Sequence, residues 1–179
     1  MLTKDRSILI VTDIQGNLAK LMHNRAELYK NTGIIIDGIR ALDIPILWIE
    51  QYPRGLGPTV PEVAVHLNGY EPLSKKTFSS LKDPTISEHF DQLGRDQVLL
   101  VGIETHVCIY QSAIDLIERG IETHVVEDAV SSRTEFNKRI GIRKIERAGG
   151  NITSVETALF ELLGIAEGDA FKKIIKLVK

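Results

Sequence analysis

The chain keeps returning to one unit, a short apolar run followed by a stretch of helical periodicity. Ser7-Ile-Leu-Ile-Val-Thr12, Pro45-Ile-Leu-Trp-Ile-Glu50, Gln97-Val-Leu-Leu-Val101 and Ile121-Glu-Thr-His-Val-Val-Glu127 read as strands. Runs this short and this apolar suit strands covered on both faces. A long helical stretch through Leu28, Ile35, Ile39 and Leu42 separates the first two and stops before Pro45. A weaker strand is expected between Tyr70 and Phe78, and a short sixth one near Ile152. Helices are expected around Ser87–Leu93, Thr134–Ala148, Thr157–Leu163 and Ala170–Val178. The segment from Gln51 to Pro61 is rich in proline and glycine and reads as a loop. Repeated strand–helix–strand units call for an α/β fold with helices on both faces of the sheet. The expectation is one three-layer αβα domain over residues 1–179, with a six-stranded, mostly parallel sheet. Its assumed strand order is 3-2-1-4-5-6.

Composition narrows the classes of function. A net charge of −2 offers no electrostatic case for nucleic acid. No apolar stretch is long enough to span a bilayer. The N-terminal residues show no signal-peptide cleavage pattern, and a single cysteine suits a reducing compartment. A cytoplasmic enzyme acting on a small molecule, without nucleic acid or membrane as partner, is the expectation, and a homo-oligomer is expected with it. The basic amphipathic tail, Phe171 to Lys179, reads as a docked helix with a solvated lysine face.

In a parallel sheet of this kind, ligands bind beyond the carboxyl ends of the strands, where strand order reverses. That rule selects Asp13, Glu50, Gln51, Lys75, Lys76, Cys108, Glu127 and Asp128. Cys108 is the only cysteine, and Val107, Tyr110, Ile114 and Ile117 after Thr105 recur at helical spacing. With Thr105 as N-cap, the thiol would be the third helical residue, where unpaired N–H groups favour thiolate. Its pKa is therefore expected below the free value of about 8.5. In the assumed order Asp13 and Cys108 face each other. An Asp, a Lys and a Cys together could supply a base, a cation and a nucleophile. Taken singly, each has a plainer explanation: a turn residue, a solvated lysine, a buried small hydrophobe.

The same residues resemble the isochorismatase-like cysteine hydrolases, over the chain from about Ser7 onward. Val11-Thr-Asp13-Ile-Gln15 is similar to that family's first-strand motif. Ser74-Lys75-Lys76-Thr77-Phe78-Ser79 is similar to its lysine motif, and Gly102-Ile-Glu-Thr-His-Val-Cys108 to its cysteine motif. Glu50 to Glu62 and Ile103 to Ile109 resemble, more narrowly, the isochorismatase domain-containing proteins. The resemblance implies Cys108 as nucleophile, Asp13 as general base and Lys75 as third member, since Lys75 stands three residues before Phe78. It also implies a cis peptide at Ile103–Glu104 and an oxyanion hole from the amides of Glu104 and Cys108. The activity implied is hydrolysis of a C–N bond in a small amide or carbamoyl compound, with no cofactor.

Departures from the family pattern bear on the substrate. Nicotinamidases carry a metal-binding Asp-x-His just after the second strand, where this chain reads Trp48-Ile-Glu50-Gln51. The five histidines show no close metal-ligand spacing, so no metal is expected. Isochorismatases proper lack the cysteine, which speaks against vinyl-ether hydrolysis. Glu104 stands where the family usually has a small apolar residue; it could point into the pocket or pair with a surface cation. Gln15, Trp48, Gln51, Tyr52 and Phe78 are pocket candidates, with core packing as the alternative for the aromatics. Ser131-Ser-Arg133 is expected to cap the following helix. A catalytically silent binding or scaffold module and a redox-responsive cysteine protein are the competing readings. The second lacks a resolving cysteine.

Overall fold

A computed structural model describes residues 1–179. The sheet has six strands: β1 (Ser7–Thr12), β2 (Ile46–Gln51), β3 (Leu73–Lys75), β4 (Gln97–Ile103), β5 (Glu122–Ser131) and β6 (Asn151–Thr153). Their spatial order is β3-β2-β1-β4-β5-β6, and every pairing is parallel. Side chains alternate across the sheet, so each strand feeds two cores. Leu9 and Val11 of β1 join one core, beside Ile35, Ile36 and Ile39 of the helix Arg25–Ala41. Ile8 and Ile10 join the other, beside Ile86, Phe90, Ile109, Ala113 and Ile145.

The helices are α1 (Gly16–Lys20), α2 (Arg25–Ala41), α3 (Pro53–Leu56), α4 (Pro61–Ala64), α5 (Pro84–Gln92), α6 (Tyr110–Glu118), α7 (Glu135–Arg147), α8 (Val155–Leu163) and α9 (Gly168–Val178). Helices α2, α8 and α9 cover one face, and α5, α6 and α7 the other. Three expectations need correction. The first helical stretch is two helices, because Asn24 turns the chain through a left-handed conformation with φ 50°. The loop after β2 contains the helical turn α3 and leads into α4, and proline supplies the pre-set φ at the start of each. Strand β5 continues past Glu127 to Ser131. It can do so because Asp128 finds partners: its Oδ1 accepts from Val155 N at 2.9 Å and its carbonyl from Asn31 Nδ2 at 2.9 Å.

One glycine is required where the chemistry will sit. Gly102 has φ 122°, and a Cβ there would lie 2.0 Å from the carbonyl oxygen of Thr12. It pairs with Thr12, so only a residue without a side chain lets the carboxyl ends of β1 and β4 close up. Asp13 and the segment leading to Cys108 leave the sheet from that point.

Candidate active site

The strand order brings three distant residues to one end of the sheet. Asp13 follows β1 with φ 58°, its N–H donating to Ile49 O at 3.0 Å. Gln51 ends β2 and Lys75 ends β3, as a register pair. Lys75 reaches back across β2, and its Nζ donates to Asp13 Oδ2 at 2.7 Å and to Gln51 Oε1 at 2.6 Å. The ion pair is buried, Lys75 being 2% and Asp13 3% exposed. Cys108 follows β4, the neighbour of β1 on the other side, and is also buried. Asp13 Oδ1 has no hydrogen-bond partner meeting ordinary geometry. It is the carboxylate oxygen left for the thiol, which lies close enough for the two groups to perturb each other.

Lys76 is turned away from Asp13 but does not leave the neighbourhood. It is exposed, with its ammonium 5.8 Å from the centroid of the Tyr52 ring.

The thiol overturns the expectation of a lowered pKa. Burial pushes Cys108 up to about 12, the Asp13 carboxylate adds to the rise, and Lys75 only partly opposes it. A helix terminus carries a fraction of a charge, which burial beside a full negative charge outweighs. Burial also raises Asp13, against the pull of Lys75. The resting site is a protonated thiol next to a lysine-paired carboxyl group. The rate of Cys108 alkylation by iodoacetamide should therefore keep rising with pH beyond 9, because thiolate accumulates only towards the raised pKa. In Asp13→Asn the rise should begin at lower pH, since the carboxylate's push is gone. A plateau near pH 8 in the wild type would sink this assignment.

The turn bearing Cys108 differs in detail from expectation. Residues Thr105–Ile109 wind as a π-helical turn whose N-cap is Glu104, so Cys108 is its fourth residue. Thr105 Oγ1 is buried and caps nothing. The Glu104 carbonyl accepts from Val107 N at 3.0 Å and Ile109 N at 3.3 Å, while the Glu104 N–H donates to no group of the chain. The Ile103–Glu104 peptide is cis. Of the two expectations for the Glu104 side chain, the structure shows the pairing with a surface cation, the exposed Arg133, although the carboxylate itself is buried. Its buried Oε2 accepts from Arg133 N at 3.0 Å and Arg133 Nε at 3.2 Å, bracing the turn between β5 and α7.

Neighbouring serines extend this brace. His106 Nδ1 lies 3.0 Å from Ser132 Oγ, and Ser131 Oγ donates to His23 O at 2.6 Å. The helix cap is Thr134, whose Oγ1 accepts from Asn137 N at 3.2 Å, so the two serines do not cap α7 as expected. Sequence reasoning missed His106 and Arg133 as parts of this corner. Their only linear signal was proximity to Cys108 and to the end of β5.

The pocket candidates have different fates. Gln15 is a clamp: its Oε1 accepts from Gln51 N at 2.6 Å, and its Nε2 donates to Gly57 O at 2.7 Å and Gln51 O at 3.2 Å. Trp48 belongs to the core, its Nε1 donating to Thr59 Oγ1 at 2.8 Å. Gln51 holds Lys75. Tyr52 lines an open cleft of about 540 Å³ together with Arg54, Lys75, Lys76 and Asp83. Phe78 is 56% exposed and does not line that cleft. A tighter hollow of about 200 Å³ lies near Glu127, Asp128 and Lys138, but none of Asp13, Lys75 or Cys108 borders it. No group of three His, Cys, Asp or Glu side chains could hold a metal ion. No helix is long and apolar enough to cross a membrane.

Known proteins share this architecture. The model of one family, the isochorismatase domain, matches residues 7–157. "Secreted isochorismatase effector Isc1" of Phytophthora sojae is 36% identical over 178 residues, covering 97% of this chain and 84% of the relative. "Isochorismatase domain-containing protein 2A" of Mus musculus is 36% identical over 178 residues, covering 98% and 84%. A solved structure described as "MAR1 Ribonuclease" from Caenorhabditis elegans superposes with a TM-score of 0.92 at 36% identity, covering 99% of this chain and 91% of that one. Near-complete coverage at this identity, with a family match that takes in Asp13, Lys75 and Cys108 alike, means that the chain belongs to the isochorismatase family.

Proposed function

We propose that the protein is a cysteine-dependent hydrolase that cleaves a C–N bond of a small amide or carbamoyl compound through a covalent thioester. One observation carries the reading: a buried Lys75–Asp13 ion pair beside a buried thiol. Cys108 Sγ attacks the carbonyl carbon while Asp13 takes the thiol proton. The carbonyl electron pair moves onto oxygen, which rests on the N–H groups of Glu104 and Cys108. Collapse of this intermediate breaks the C–N bond, and Asp13 delivers the proton to the departing amine. Water then gives a proton to the same carboxylate and attacks the thioester, and Cys108 leaves with the proton from Asp13. A high thiol pKa suits this sequence. The proton stays in the site until attack, when it is passed on to the leaving group.

The test is a panel of small amides, ureas and carbamoyl compounds scored for ammonia or amine release, with Cys108→Ala as control. Release that depends on Cys108 is the expected result. Release undiminished in Cys108→Ala would remove covalent catalysis, and no release from any member would leave a silent binding module. RNA belongs in the panel because one relative is described as a ribonuclease. The same reading includes a cytoplasmic homo-oligomer: Leu21, Phe78 and Phe136 are left exposed, and a second copy would cover such apolar surface. Sedimentation would read the assembly state.

A further inference from the structure

Glu104 is held at its carbonyl and at its carboxylate, and only its N–H is left over. The carbonyl accepts from Val107 N and Ile109 N, and Oε2 accepts from Arg133 N and Arg133 Nε. The N–H donates to no group of the chain. A carboxylate in this place is costly: Glu104 is 7% exposed, and a buried charge needs a partner. Its charge also reaches the sulfur. Burial and Asp13 are the larger causes of the raised Cys108 pKa, and the Glu104 carboxylate adds to them. A negative group that close to the thiol would oppose negative charge on an oxygen bound beside it. Arg133 covers the group from outside, with its Nε 3.2 Å from Oε2 and its side chain 56% exposed.

The support continues around the turn. Ser131 at the end of β5 pairs in register with Ile103, the residue before Glu104. Ser132 Oγ lies 3.0 Å from His106 Nδ1. Helix α7 presses on the same turn, since a Cβ on Gly141 would lie 2.6 Å from Thr105 O and 2.8 Å from His106 N. Backbone meets backbone there. The end of β5 and α7 together form the wall against which the turn from Glu104 to Cys108 is set, and Arg133 lies where they join.

From this we infer that Arg133 is a positioning residue for the oxyanion hole: by holding and neutralising the Glu104 carboxylate, it keeps the Glu104 N–H aimed at the oxygen of a bound carbonyl. This rests on the cysteine-hydrolase reading above, which sets that oxygen on the N–H groups of Glu104 and Cys108. Arg133 acts through Glu104 and touches no reacting atom. Donors of this kind are effective because they are fixed before charge develops. A carboxylate left mobile and uncovered on the donor residue would cost both the aim and the sign of the local field.

Two reagents on the full chain read this without a turnover substrate. With p-nitrophenyl acetate, Cys108 Sγ attacks the carbonyl carbon and Asp13 takes the thiol proton. Negative charge builds on the carbonyl oxygen, and nitrophenolate leaves with the electron pair of the broken C–O bond. Iodoacetamide alkylates the same sulfur and expels iodide, and its own carbonyl oxygen gains no charge. Both rates are followed as mass added to Cys108, with Cys108→Ala as the blank. The acylation-to-alkylation ratio of the wild type should exceed that of N-acetylcysteinamide. Arg133→Gln should lower it about ten-fold, part of the roughly 10²–10³-fold lost when one such donor is removed outright. Arg133→Lys should restore most of the loss, since an ammonium still pairs with the carboxylate. In a Glu104→Gln background the effect of Arg133→Gln should shrink to about two-fold, because the charge to be covered is gone. A change in folding or in access to the thiol enters both rates and cancels.

An Arg133→Gln protein that keeps the wild-type ratio would overturn the inference and leave the hydrolase reading standing. So would an equal fall in both backgrounds, because Arg133 would then not act through Glu104. A wild-type ratio no higher than that of the free thiol would remove the oxyanion hole, and the inference with it. A Cys108 that neither reagent modifies would do the same, since no carbonyl would then reach those amides. The expected fall in a protein that releases no amine from the panel would uphold the role of Arg133 while the hydrolase reading fails.

Discussion

Asp13→Asn is expected to lower kcat/KM on any amide that the wild type hydrolyses by about 10⁴-fold, the scale seen when one member of a nucleophile–base set is removed. Asparagine keeps the shape of the side chain but cannot accept a proton. The two halves of the reaction should not suffer equally. Attack can still proceed from the fraction of thiolate that solvent supplies, and that fraction grows because the carboxylate no longer pushes the Cys108 pKa up. Hydrolysis of the thioester needs a base for water, and no other carboxylate contacts Lys75 to replace Asp13. Intact-mass spectra of Asp13→Asn with a turnover substrate should therefore show Cys108 carrying the acyl group. Wild-type rates, or an adduct on another residue, would contradict the assignment of Asp13.

How far this site could be read from the linear chain depends on what each residue's signal was. The strands announced themselves because continuous Ile, Leu and Val runs have few other uses, and parallel pairing follows from the helices between them. The strand-end rule put Lys75 and Cys108 among eight candidates, and only the motifs singled them out. Nothing in the composition of Ser74-Lys75-Lys76-Thr77 says which lysine is buried, and that choice is made by the register of β3 on β2. Glu104 and Arg133 are far apart in sequence, and their pairing depends on β5 running on to Ser131 beside Ile103. The polar residues Glu127 and Asp128 hid that extension. The thiol pKa departs from the value expected of a helix N-terminus for a related reason. Position on a helix is local and readable, whereas burial and a carboxylate supplied by another strand are products of the tertiary fold.

Lys75→Met should cost about 3–5 kcal/mol of folding stability, the range found when one partner of a buried ion pair is removed. The loss is large because Asp13 is 3% exposed and its Oδ1 already lacks a hydrogen-bond partner, so the substitution leaves only the thiol and backbone beside a buried charge. Methionine fills most of the volume of the lysine stem, which keeps the packing term small. The loss should also depend on pH, and the sign is fixed. Burial raises the Asp13 pKa even with Lys75 present, and removing the cation raises it further. A carboxyl group raised in the folded state contributes stability below its unfolded pKa of about 4, and loses it as pH climbs through the folded value. The deficit of Lys75→Met should be smallest in acid and grow towards neutrality. Adding Asp13→Asn should recover most of it by removing the uncompensated charge, giving a large coupling in a double-mutant cycle. Urea unfolding at several pH values, with the slope checked for constancy, measures all four corners. A deficit below about 1 kcal/mol that ignores pH would mean that the pair behaves like a solvated surface bridge. Asp13 would then have no fixed cation beside it, and the site would lose the feature that distinguishes it from an ordinary strand end.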